Sequence, residues 1–223
     1  MKIAIISIGD ELLSGFTLNS NFAWIGQELL KSGIIVSKQI TVGDNFEQIR
    51  LFLDQCISTV DVILMTGGLG PTHDDITPSV LYDYFKDKPE FDSDYWKKIE
   101  NYFKQRNLSV PEINKNQALK STIGKMISNP LGSARGLHYI LNNTSVYAMP
   151  GVPDEMKSMM LGYVIPDILK DIKIALYVKT LRTIGKGESS IAEQIQPLID
   201  TYSDSCSIAY LPQISGVDVR ILS

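Results

Sequence analysis

The chain has 223 residues, of which 44% are hydrophobic and 21% charged, and its net charge is −4. This composition is typical of a globular protein with one sizeable domain and room for a second small one. The mildly acidic balance excludes the basic surface of a general nucleic-acid binder, so we expect no nucleic-acid partner.

The first predicted element is a strand at Lys2–Gly9, which is apolar on both faces like a buried parallel strand. The run is too short to cross a membrane, and the Gly-Asp-Glu that follows is unlike a signal-peptide cleavage site. We therefore expect a cytoplasmic protein with no membrane partner.

Strand and helix patterns then alternate through the first half of the chain. The predicted elements are a helix over residues 19–33, a strand over 34–44, a helix over 46–58 and a strand over 60–68. Asn19 or Ser20 is a suitable cap for the first of these helices. A third helix is predicted from Thr77, with Thr77 as its N-cap and Pro78 in the first helical position.

This alternation predicts a doubly wound α/β domain with a mostly parallel sheet between two layers of helices. In such a domain the ligand binds at the carboxyl ends of the strands. The loops Gly9–Gly15, Val42–Asn45 and Gly67–Asp75 each follow a predicted strand. We therefore expect these three loops to meet at one edge of the sheet.

The second half of the chain begins with a helix and ends with a different pattern. Residues 93–107 carry a helical stripe of Tyr95, Ile99, Tyr102 and Phe103, which we interpret as packing surface rather than a platform for bases. A core strand is predicted at Ser145–Gly151. From about residue 170 the segments ALYVKTLRTIG, ESSIAEQIQPLID, CSIAYLP and GVDVRILS predict strand, helix, strand and strand. We therefore expect an α/β domain at 1–170 and a small, incomplete α+β domain at 171–223.

The third loop, GGLGPTHDD, combines glycines with two acids. Gly67, Gly68 and Gly70 allow a sharp turn whose N–H groups can approach a phosphate, next to the positive end of a helix. The alternative is a tight strand-to-helix turn on which Asp74 and Asp75 only carry charge.

Acids also follow the other two strands, at Asp10, Glu11 and Asp44. Carboxylates gathered at one edge repel each other unless a cation neutralises them. Mg²⁺ is commonly held by one or two carboxylates together with phosphate oxygens of a substrate. On spacing alone, a metal-bridged phosphate site and the simple turn are equally good interpretations of the third loop.

Several common sites have no signature in the sequence. There is no GxxxxGK[ST] or GxGxxG motif, so neither a P-loop nor a dinucleotide fingerprint is predicted. His73 and His138 lack the spacing of a metal pair or a catalytic triad. Cys56 and Cys206 predict neither a disulfide framework nor a structural zinc site.

The motifs GDELLSG, TVGDN, TGGLGPTHDDIT, NKNQAL, NPLGSARG and MPGVPDEM occur in an order that resembles the CinA family, the competence/damage-inducible proteins. The amino-terminal domain of that family has the molybdopterin-binding fold of MoaB and MogA. The later run TIGKGESSIAEQI, with IAYLP and VDVRI, resembles the KH-like domain that follows in CinA proteins. The resemblance covers nearly the whole chain.

The resemblance implies a three-layer α/β domain and metal-dependent hydrolysis of a nucleotide diphosphate, ADP-ribose, to AMP and ribose 5-phosphate. It implies a divalent ion (Mg²⁺, Mn²⁺ or Co²⁺), admits a monovalent cation beside it, and favours a homo-oligomer, most simply a dimer. Related enzymes adenylylate molybdopterin, which forms a pyrophosphate link instead of breaking one. Many members carry a carboxy-terminal nicotinamide-mononucleotide deamidase domain, which we do not expect within these 223 residues.

The resemblance also assigns site residues in this sequence. Asp75, Asp44 and Asp10 match metal-site positions. Asp75 is also a candidate catalytic residue, together with Glu11 as the general base and Lys115 as a cation. The matching substrate-binding positions are Gly67, Gly68, Gly70, Thr72, Asn19, Asn21, Pro150, Gly151 and Glu155.

Two positions depart from the family pattern. Asn116 stands where a basic residue is common, which leaves Lys115 as the remaining cation of that motif. Arg135 stands where the family commonly has proline, and it adds a cation near the predicted site. Two other functions remain open alternatives: molybdopterin binding or adenylylation at the same site, and a non-catalytic regulatory module in competence or DNA damage.

Overall fold

A computed structural model of the protein describes residues 1–170 and 177–223. The described residues divide into two compact units, one formed by 1–27 and 35–170 and the other by 28–34 and 177–223. Each unit has a sheet of its own. Among the described residues, none of the helices is both long and apolar enough to cross a membrane. The predicted domain boundary at 170/171 falls at the edge of the undescribed segment and stays a prediction.

Strands and helices alternate through the first three strands, as the sequence patterns predict. The elements of residues 1–170 are β1 (Ile3–Ile8), α1 (Asp10–Leu13), α2 (Ser20–Lys31), β2 (Val36–Val42), α3 (Phe46–Cys56), β3 (Val62–Thr66), α4 (Thr77–Tyr84), β4 (Glu90–Phe91), α5 (Ser93–Lys104), a 3₁₀ helix (Glu112–Ala118), β5 (Leu119–Lys120), β6 (Lys125–Ile127), β7 (Gly136–Leu141), β8 (Thr144–Met149), α6 (Pro153–Met159), a π-helical turn (Met160–Val164) and α7 (Ile165–Leu169).

The central sheet has six strands in the order β2-β1-β3-β8-β7-β6. The first four of these are mutually parallel, while β7 runs antiparallel to both β8 and β6. The α/β fold with a mostly parallel sheet is therefore confirmed. Strands β6 and β7 were not predicted, although Asn142 and Asn143 between β7 and β8 both have positive φ, as in a two-residue hairpin turn.

Both faces of this sheet are buried, which explains the run of apolar residues in the strands. Ala4 and Ile6 of β1 pack in one core with Ile49 and Leu53 of α3, together with residues of α4. The alternate residues Ile3, Ile5, Leu64 and Tyr147 are also fully buried. On that second face the Tyr147 hydroxyl donates to Asp167 Oδ2 of α7 at 2.8 Å. The unit therefore has three layers, as predicted.

The second unit contains β9 (Val178–Ile184), α8 (Glu188–Tyr202), β10 (Ser207–Gln213) and β11 (Gly216–Leu222). Its antiparallel sheet has the order β10-β11-β9, and Ile191 of α8 packs against Val217 and Val219 of β11. The predicted order of strand, helix, strand and strand is confirmed. The first predicted strand began at Ala175, and Ala175 and Leu176 lie outside the described residues.

Candidate functional site

A cleft of about 510 Å³ lies at the carboxyl ends of the parallel strands. All three predicted loops contribute to it, so their expected convergence is confirmed. The first two loops supply Gly9, Asp10, Glu11 and Asp44, and the third supplies Gly67, Gly68, Leu69, Gly70, Asp74 and Asp75. The remaining walls come from Ile8, Ser133, Ala134, Pro150, Gly151, Val152 and Glu155.

Asp10 and Asp44 face each other across the first two loops. The Asp10 N–H donates to Asp44 Oδ2 at 3.1 Å, and the Asp44 N–H donates to Asp10 Oδ1 at 3.2 Å. Burial raises the pKa of Asp44, and the nearby negative charges of Asp10, Glu11 and Asp74 raise it further, against the lowering effect of the Asp10 N–H. The first two loops therefore hold the carboxylates of Asp10 and Asp44 close together, in surroundings that disfavour the charged form of Asp44.

Gly43 makes this close approach of the acids possible. A Cβ at Gly43 would overlap the carboxylate oxygen Asp10 Oδ1. The Gly9 N–H also donates to the Val42 carbonyl at 3.0 Å, which ties the two loops to each other. Gly43 was not among the predicted site residues, and its position directly before Asp44 is the signal that points to it.

Asp75 shapes the third loop from within. Its Oδ1 accepts from the Gly70 N–H at 2.7 Å, and its Oδ2 accepts from the Thr72 N–H at 2.8 Å and the Thr72 hydroxyl at 2.5 Å. These three bonds close the loop around the carboxylate, as an aspartate does in many turns. Two of the N–H groups that the sequence assigned to a phosphate therefore already have an acceptor.

Gly67 and Thr77 anchor the same loop to the sheet. The Gly67 N–H donates to the Met149 carbonyl at 3.0 Å, and the Thr77 hydroxyl donates to the Gly67 carbonyl at 2.9 Å. At φ 107° a Cβ on Gly67 would overlap the Ile8 carbonyl, so only glycine fits there. The prediction of Thr77 as an N-cap is wrong: Ile76 occupies that position, and Thr77 is inside the helix with its hydroxyl bonded to the loop.

Glu155, in the first turn of α6, also lines the cleft. The Asn129 Nδ2 donates to Glu155 Oε2 at 2.6 Å and to the Ala134 carbonyl at 2.9 Å. The Asn129 Oδ1 accepts from the N–H groups of Leu131 and Gly132, both at 3.0 Å. Asn129 therefore holds the NPLGSARG loop against Glu155, a role that sequence reasoning did not find although the motif contains it.

The structure does not bring Lys115 to the cleft. Its ammonium group pairs with Glu112 Oε2 at 2.6 Å on the exposed side of the 3₁₀ helix, and Lys115 lines none of the clefts described here. Its neighbour Asn116 lines a second cleft instead. In a 3₁₀ helix, successive side chains point in different directions, so the sequence alone does not show which of the two faces the site.

Arg135 is close to the site but is held by other groups. Its guanidinium donates to Asp92 Oδ2 at 2.8 Å and to the Leu119 carbonyl at 3.2 Å, and it lies 3.8 Å from the centre of the Tyr95 ring. Its side chain is only 9% exposed, and its Nε has no hydrogen-bond partner among the described residues. Arg135 also lines the second cleft.

This second cleft, of about 340 Å³, adjoins the first through Leu69, Gly70, Asp75 and Ala134. Its walls are mixed, with apolar side chains beside amides and a phenol. They include Ile76, Tyr82, Leu119, Met126, Leu137, Asn116, Gln117, Thr72, His73 and Ser79.

A small chamber of about 100 Å³ adjoins the first cleft on its other side, through Ile8, Glu11 and Gly151. Asn19 and Asn21 line it. The Asn19 Oδ1 accepts from the Phe22 N–H at 3.1 Å, which confirms Asn19 as the cap of α2. The Asn21 Nδ2 donates to the Gly151 carbonyl at 2.7 Å.

The carboxylates at this edge of the sheet are too few to hold a hard cation such as Mg²⁺ without oxygen atoms from a bound ligand. The described residues contain no group of three or more His, Cys, Asp and Glu side chains placed to hold a metal ion. They do contain the two carboxylates of Asp10 and Asp44. Mg²⁺ commonly binds one or two carboxylates of a protein, and phosphate oxygens of the substrate then complete its coordination. The residues present therefore fit an ion that binds together with a phosphate.

Comparison with known proteins agrees with this architecture. Residues 4–170 match the family model described as "Probable molybdopterin binding domain". Residues 178–223 match the model of the damage-inducible protein CinA KH domain. The chain belongs to the CinA family. The resemblance stated from the motifs is thus confirmed, and so is the molybdopterin-binding fold.

Individual relatives support the assignment to this family. The chain is 36% identical over 223 residues to a CinA-like protein of Salinibacter ruber, covering 99% of this chain and 54% of that one. It is 33% identical over 227 residues to the nicotinamide-nucleotide amidohydrolase PncC of Shewanella oneidensis, covering 100% and 53%. The chain therefore spans about half the length of the curated relatives it matches.

A solved structure also resembles the protein. The crystal structure of CinA from Thermoplasma acidophilum, a protein of unknown function, superposes with a TM-score of 0.66 at 28% sequence identity. The match covers 74% of this chain and 96% of that one.

Proposed function

We propose that this CinA-family chain is a metal-dependent hydrolase of nucleotide diphosphates, with ADP-ribose as the substrate and AMP and ribose 5-phosphate as the products. The observation that carries the proposal is the pairing of Asp10 with Asp44 beside a glycine-rich wall, in a cleft with a further chamber on each side. A diphosphate with a substituent at each end matches this arrangement, with the diphosphate in the cleft and one substituent in each chamber.

The acidic pair is the part of the site that needs a cation. Asp10 and Asp44 would hold a divalent ion (Mg²⁺, Mn²⁺ or Co²⁺), which would polarise a phosphate and lower the pKa of a bound water. The raised pKa of Asp44 supports this role, because burial and then the neighbouring acids disfavour its charge, and a nearby cation would favour the charged form. A monovalent cation near the same acids remains part of the proposal.

The remaining roles belong to groups of the chain itself. Glu11 lines both the first cleft and the small chamber, so it lies where a general base can accept a proton from the attacking water. Asp75 keeps the third loop in the shape that forms one wall, and the N-terminus of α4 follows directly. Gly68 and Leu69, at the tip of that wall, are the positions where the backbone can face a phosphate.

Lys115 is not retained as a catalytic group in this proposal, because its ammonium is paired with Glu112 outside the cleft. Arg135 lines the adjoining second cleft, but its guanidinium already donates to Asp92 and lies over the Tyr95 ring. A divalent ion held by Asp10 and Asp44 would therefore supply the positive charge that stabilises the leaving phosphate.

The activity in the name of the Shewanella oneidensis relative, nicotinamide-nucleotide amidohydrolase, is not transferred to this chain. The chain covers 53% of that protein, and the name does not say which half carries the activity. A hydrolase that acts on a nicotinamide nucleotide is nevertheless compatible with a partner domain that acts on nucleotide diphosphates. The proposed quaternary structure is a homodimer.

The test is a turnover screen of the purified chain with ADP-ribose, ADP-glucose, NAD and molybdopterin plus ATP, each with Mn²⁺ and with chelator. The proposal expects release of AMP and ribose 5-phosphate from ADP-ribose, abolished by chelator. Adenylylation of molybdopterin without ADP-ribose cleavage would contradict it and favour the cofactor-biosynthesis alternative. Inertness towards every substrate would favour the regulatory alternative.

A further inference from the structure

The strand β9 (Val178–Ile184) forms one edge of the sheet in the second unit. It is bonded to β11 on one side, and within residues 1–170 and 177–223 no strand pairs with its other side. The strand at the opposite edge, β10, contains Pro212, which has no N–H to donate, whereas β9 contains no proline. An open edge of this kind can pair with another extended chain.

The ladder between β9 and β11 shows which backbone groups of β9 face the open edge. Directly before the strand, Tyr177 and Ser223 exchange both of their backbone hydrogen bonds, at 2.8 and 2.9 Å. In an antiparallel ladder such pairs alternate with pairs that share no hydrogen bond. The register with β11 continues unbroken through β9, so every second residue points its N–H and C=O groups to the open edge. These residues are Val178, Thr180, Arg182 and Ile184.

The side chains of β9 leave this edge accessible. The Arg182 guanidinium reaches the other way, to the Asp218 carboxylate of β11, with Nε and Nη2 at 2.8 and 2.9 Å from its two oxygens. The Thr183 hydroxyl also donates to a carbonyl of β11, at 2.8 Å. Leu181 and Ile184 are apolar and are 47% and 75% exposed. Apolar side chains on an open edge are a hazard unless another chain pairs there.

The sequence of β9 is complementary to itself when two copies run antiparallel about Leu181. In that register Thr180 lies opposite Arg182 of the second copy, and Lys179 lies opposite Thr183. The backbone groups that face the open edge then bond to each other, and no two cations meet. A parallel pair in register would instead place Lys179 and Arg182 beside their own copies, and like charges in that position are destabilising.

We propose that two copies of this chain associate through β9, antiparallel and centred on Leu181, so that their two small sheets become one continuous sheet. The second copy is thus the partner of the open edge. This inference goes beyond the proposed hydrolysis and does not depend on it, and it gives the proposed homodimer an interface. A single pair of strands buries less surface than a standard stable interface, so we expect a micromolar dissociation constant.

A cysteine at the two-fold axis tests the register. The Cα atoms of opposite residues that share no hydrogen bond lie about 4.5 Å apart, within the range of about 4.4–6.8 Å that a disulfide spans. We expect mild oxidation to link two copies of Leu181→Cys at least about 10-fold faster than two copies of Leu198→Cys, as measured by non-reducing electrophoresis. Leu198 is the matched control, since it is 61% exposed on α8. The wild type gives the background from Cys56 and Cys206.

A second pair of variants tests the backbone hydrogen bonds. Thr180→Pro removes an N–H that faces the open edge and leaves the ladder with β11 intact. The dimer would lose this bond in both copies, so we expect its dissociation constant to rise about 10-fold or more. Thr180→Ala keeps the N–H and should stay within about 2-fold of the wild type. Sedimentation equilibrium measures the affinities, and thermal melts check that both variants fold.

The inference is overturned if the wild type stays monomeric at millimolar concentration, which would leave the open edge to an extended segment of another protein. It is also overturned if Leu181→Cys is linked no faster than Leu198→Cys. Equal affinities for Thr180→Pro and Thr180→Ala would place the interface elsewhere on the chain and would equally contradict it.

Discussion

Asp10 and Asp44, which follow β1 and β2, differ from Asp75, which follows β3, although all three lie at one edge of the same sheet. Asp10 and Asp44 face each other, and each accepts one hydrogen bond from the backbone of the other. Asp75 accepts three hydrogen bonds from its own loop. Each carboxylate of the pair therefore keeps more lone pairs free for a cation than Asp75 does.

This difference shows that an acid in a glycine-rich motif can stabilise the conformation of the loop rather than bind the ligand. The ionised form of Asp44 is unfavourable for the fold, because burial and then the neighbouring acids raise its pKa, and such groups often mark functional sites. The Asp75 bonds are favourable for the fold. Substitutions should therefore separate the two regions by their effects on activity and on stability.

The largest expected effect on activity is that of Asp44→Asn. We expect turnover of ADP-ribose to fall roughly 100-fold or more, as for other groups that stabilise charge in a transition state. The melting temperature without metal should stay at or above that of the wild type, because the substitution removes a repulsive charge and keeps an oxygen for the Asp10 N–H. Turnover assays and thermal melts check the two parts.

Asp10→Asn is the matched variant for this prediction, since it removes the other charge of the pair. It should behave in the same way as Asp44→Asn. A variant of either residue that melts well below the wild type would show that the pair stabilises the fold, and the contrast with Asp75 would fail.

Asp75→Ala is expected to act mainly on the loop. Removing its carboxylate leaves the Gly70 and Thr72 N–H groups without their acceptor, so we expect the free energy of unfolding to fall by about 1–3 kcal/mol. Turnover should fall about 10- to 100-fold because one wall of the cleft is displaced. Chemical denaturation and turnover assays measure the two effects.

Asp75→Asn serves as the conservative control and should recover part of both losses, since its amide oxygen still accepts one of the hydrogen bonds. If Asp75→Ala is as stable as the wild type yet inactive, Asp75 is a ligand of the metal or substrate instead.

The dependence of stability on pH should differ in sign between Asp44 and Asp87, a buried acid outside the cleft. The pKa of Asp44 is higher in the folded state than in the unfolded state, so its ionised form destabilises the protein at neutral pH. The gain in stability of Asp44→Asn over the wild type should therefore be largest near pH 7. The gain should shrink as the pH falls towards 3.8.

For Asp87, burial would raise the pKa, but hydrogen bonds from Ser121, Thr122 and Tyr139 outweigh it and lower the pKa to about 2. Its ionised form stabilises the fold above pH 3.8, and this contribution is lost as the pH falls towards 2. Asp87→Asn should be destabilised at pH 7, by a margin that narrows in acid. Thermal melts from pH 2.5 to 7.5 measure the difference in melting temperature between each variant and the wild type. If this difference changed with pH in the same direction for Asp44→Asn and Asp87→Asn, the opposite pKa shifts of the two acids would be contradicted.

The smallest expected effect is that of Lys115→Ala. Its ammonium pairs with an exposed glutamate, and such surface pairs contribute little. Turnover of ADP-ribose should stay within 2-fold of the wild type. A loss of 10-fold or more would show that Lys115 reaches the substrate, as the family motif implies.

Strand and loop patterns were sufficient to place the cleft. Runs such as Ile3–Ile8 and Val62–Thr66 are apolar on both faces because the sheet is covered on both sides, and the carboxyl ends of parallel strands necessarily share an edge. The convergence of Asp10, Asp44 and Asp75 followed from that geometry. The Asn142–Asn143 turn was a readable signal for the missed strand β7.

Other features depend on contacts that no spacing rule contains. Thr77 fits the pattern of an N-cap, yet its hydroxyl bonds to the Gly67 carbonyl ten residues earlier. The Asp75 carboxylate is consumed by its own loop because the turn brings Gly70 and Thr72 within reach of it. The direction of Lys115 depends on the register of a short 3₁₀ helix. These contacts arise in irregular backbone, which the periods of helices and strands do not describe.

One comparison tests the central claim most directly: ADP-ribose hydrolysis by the wild type, Asp44→Asn and Asp75→Asn, each with Mn²⁺ and with chelator, alongside the thermal melt of each protein. The account predicts a chelator-sensitive wild type, a stable Asp44→Asn variant with almost no turnover, and a less stable Asp75→Asn variant with partial turnover. Full turnover by Asp44→Asn, or the same stability and turnover in both variants, would contradict it.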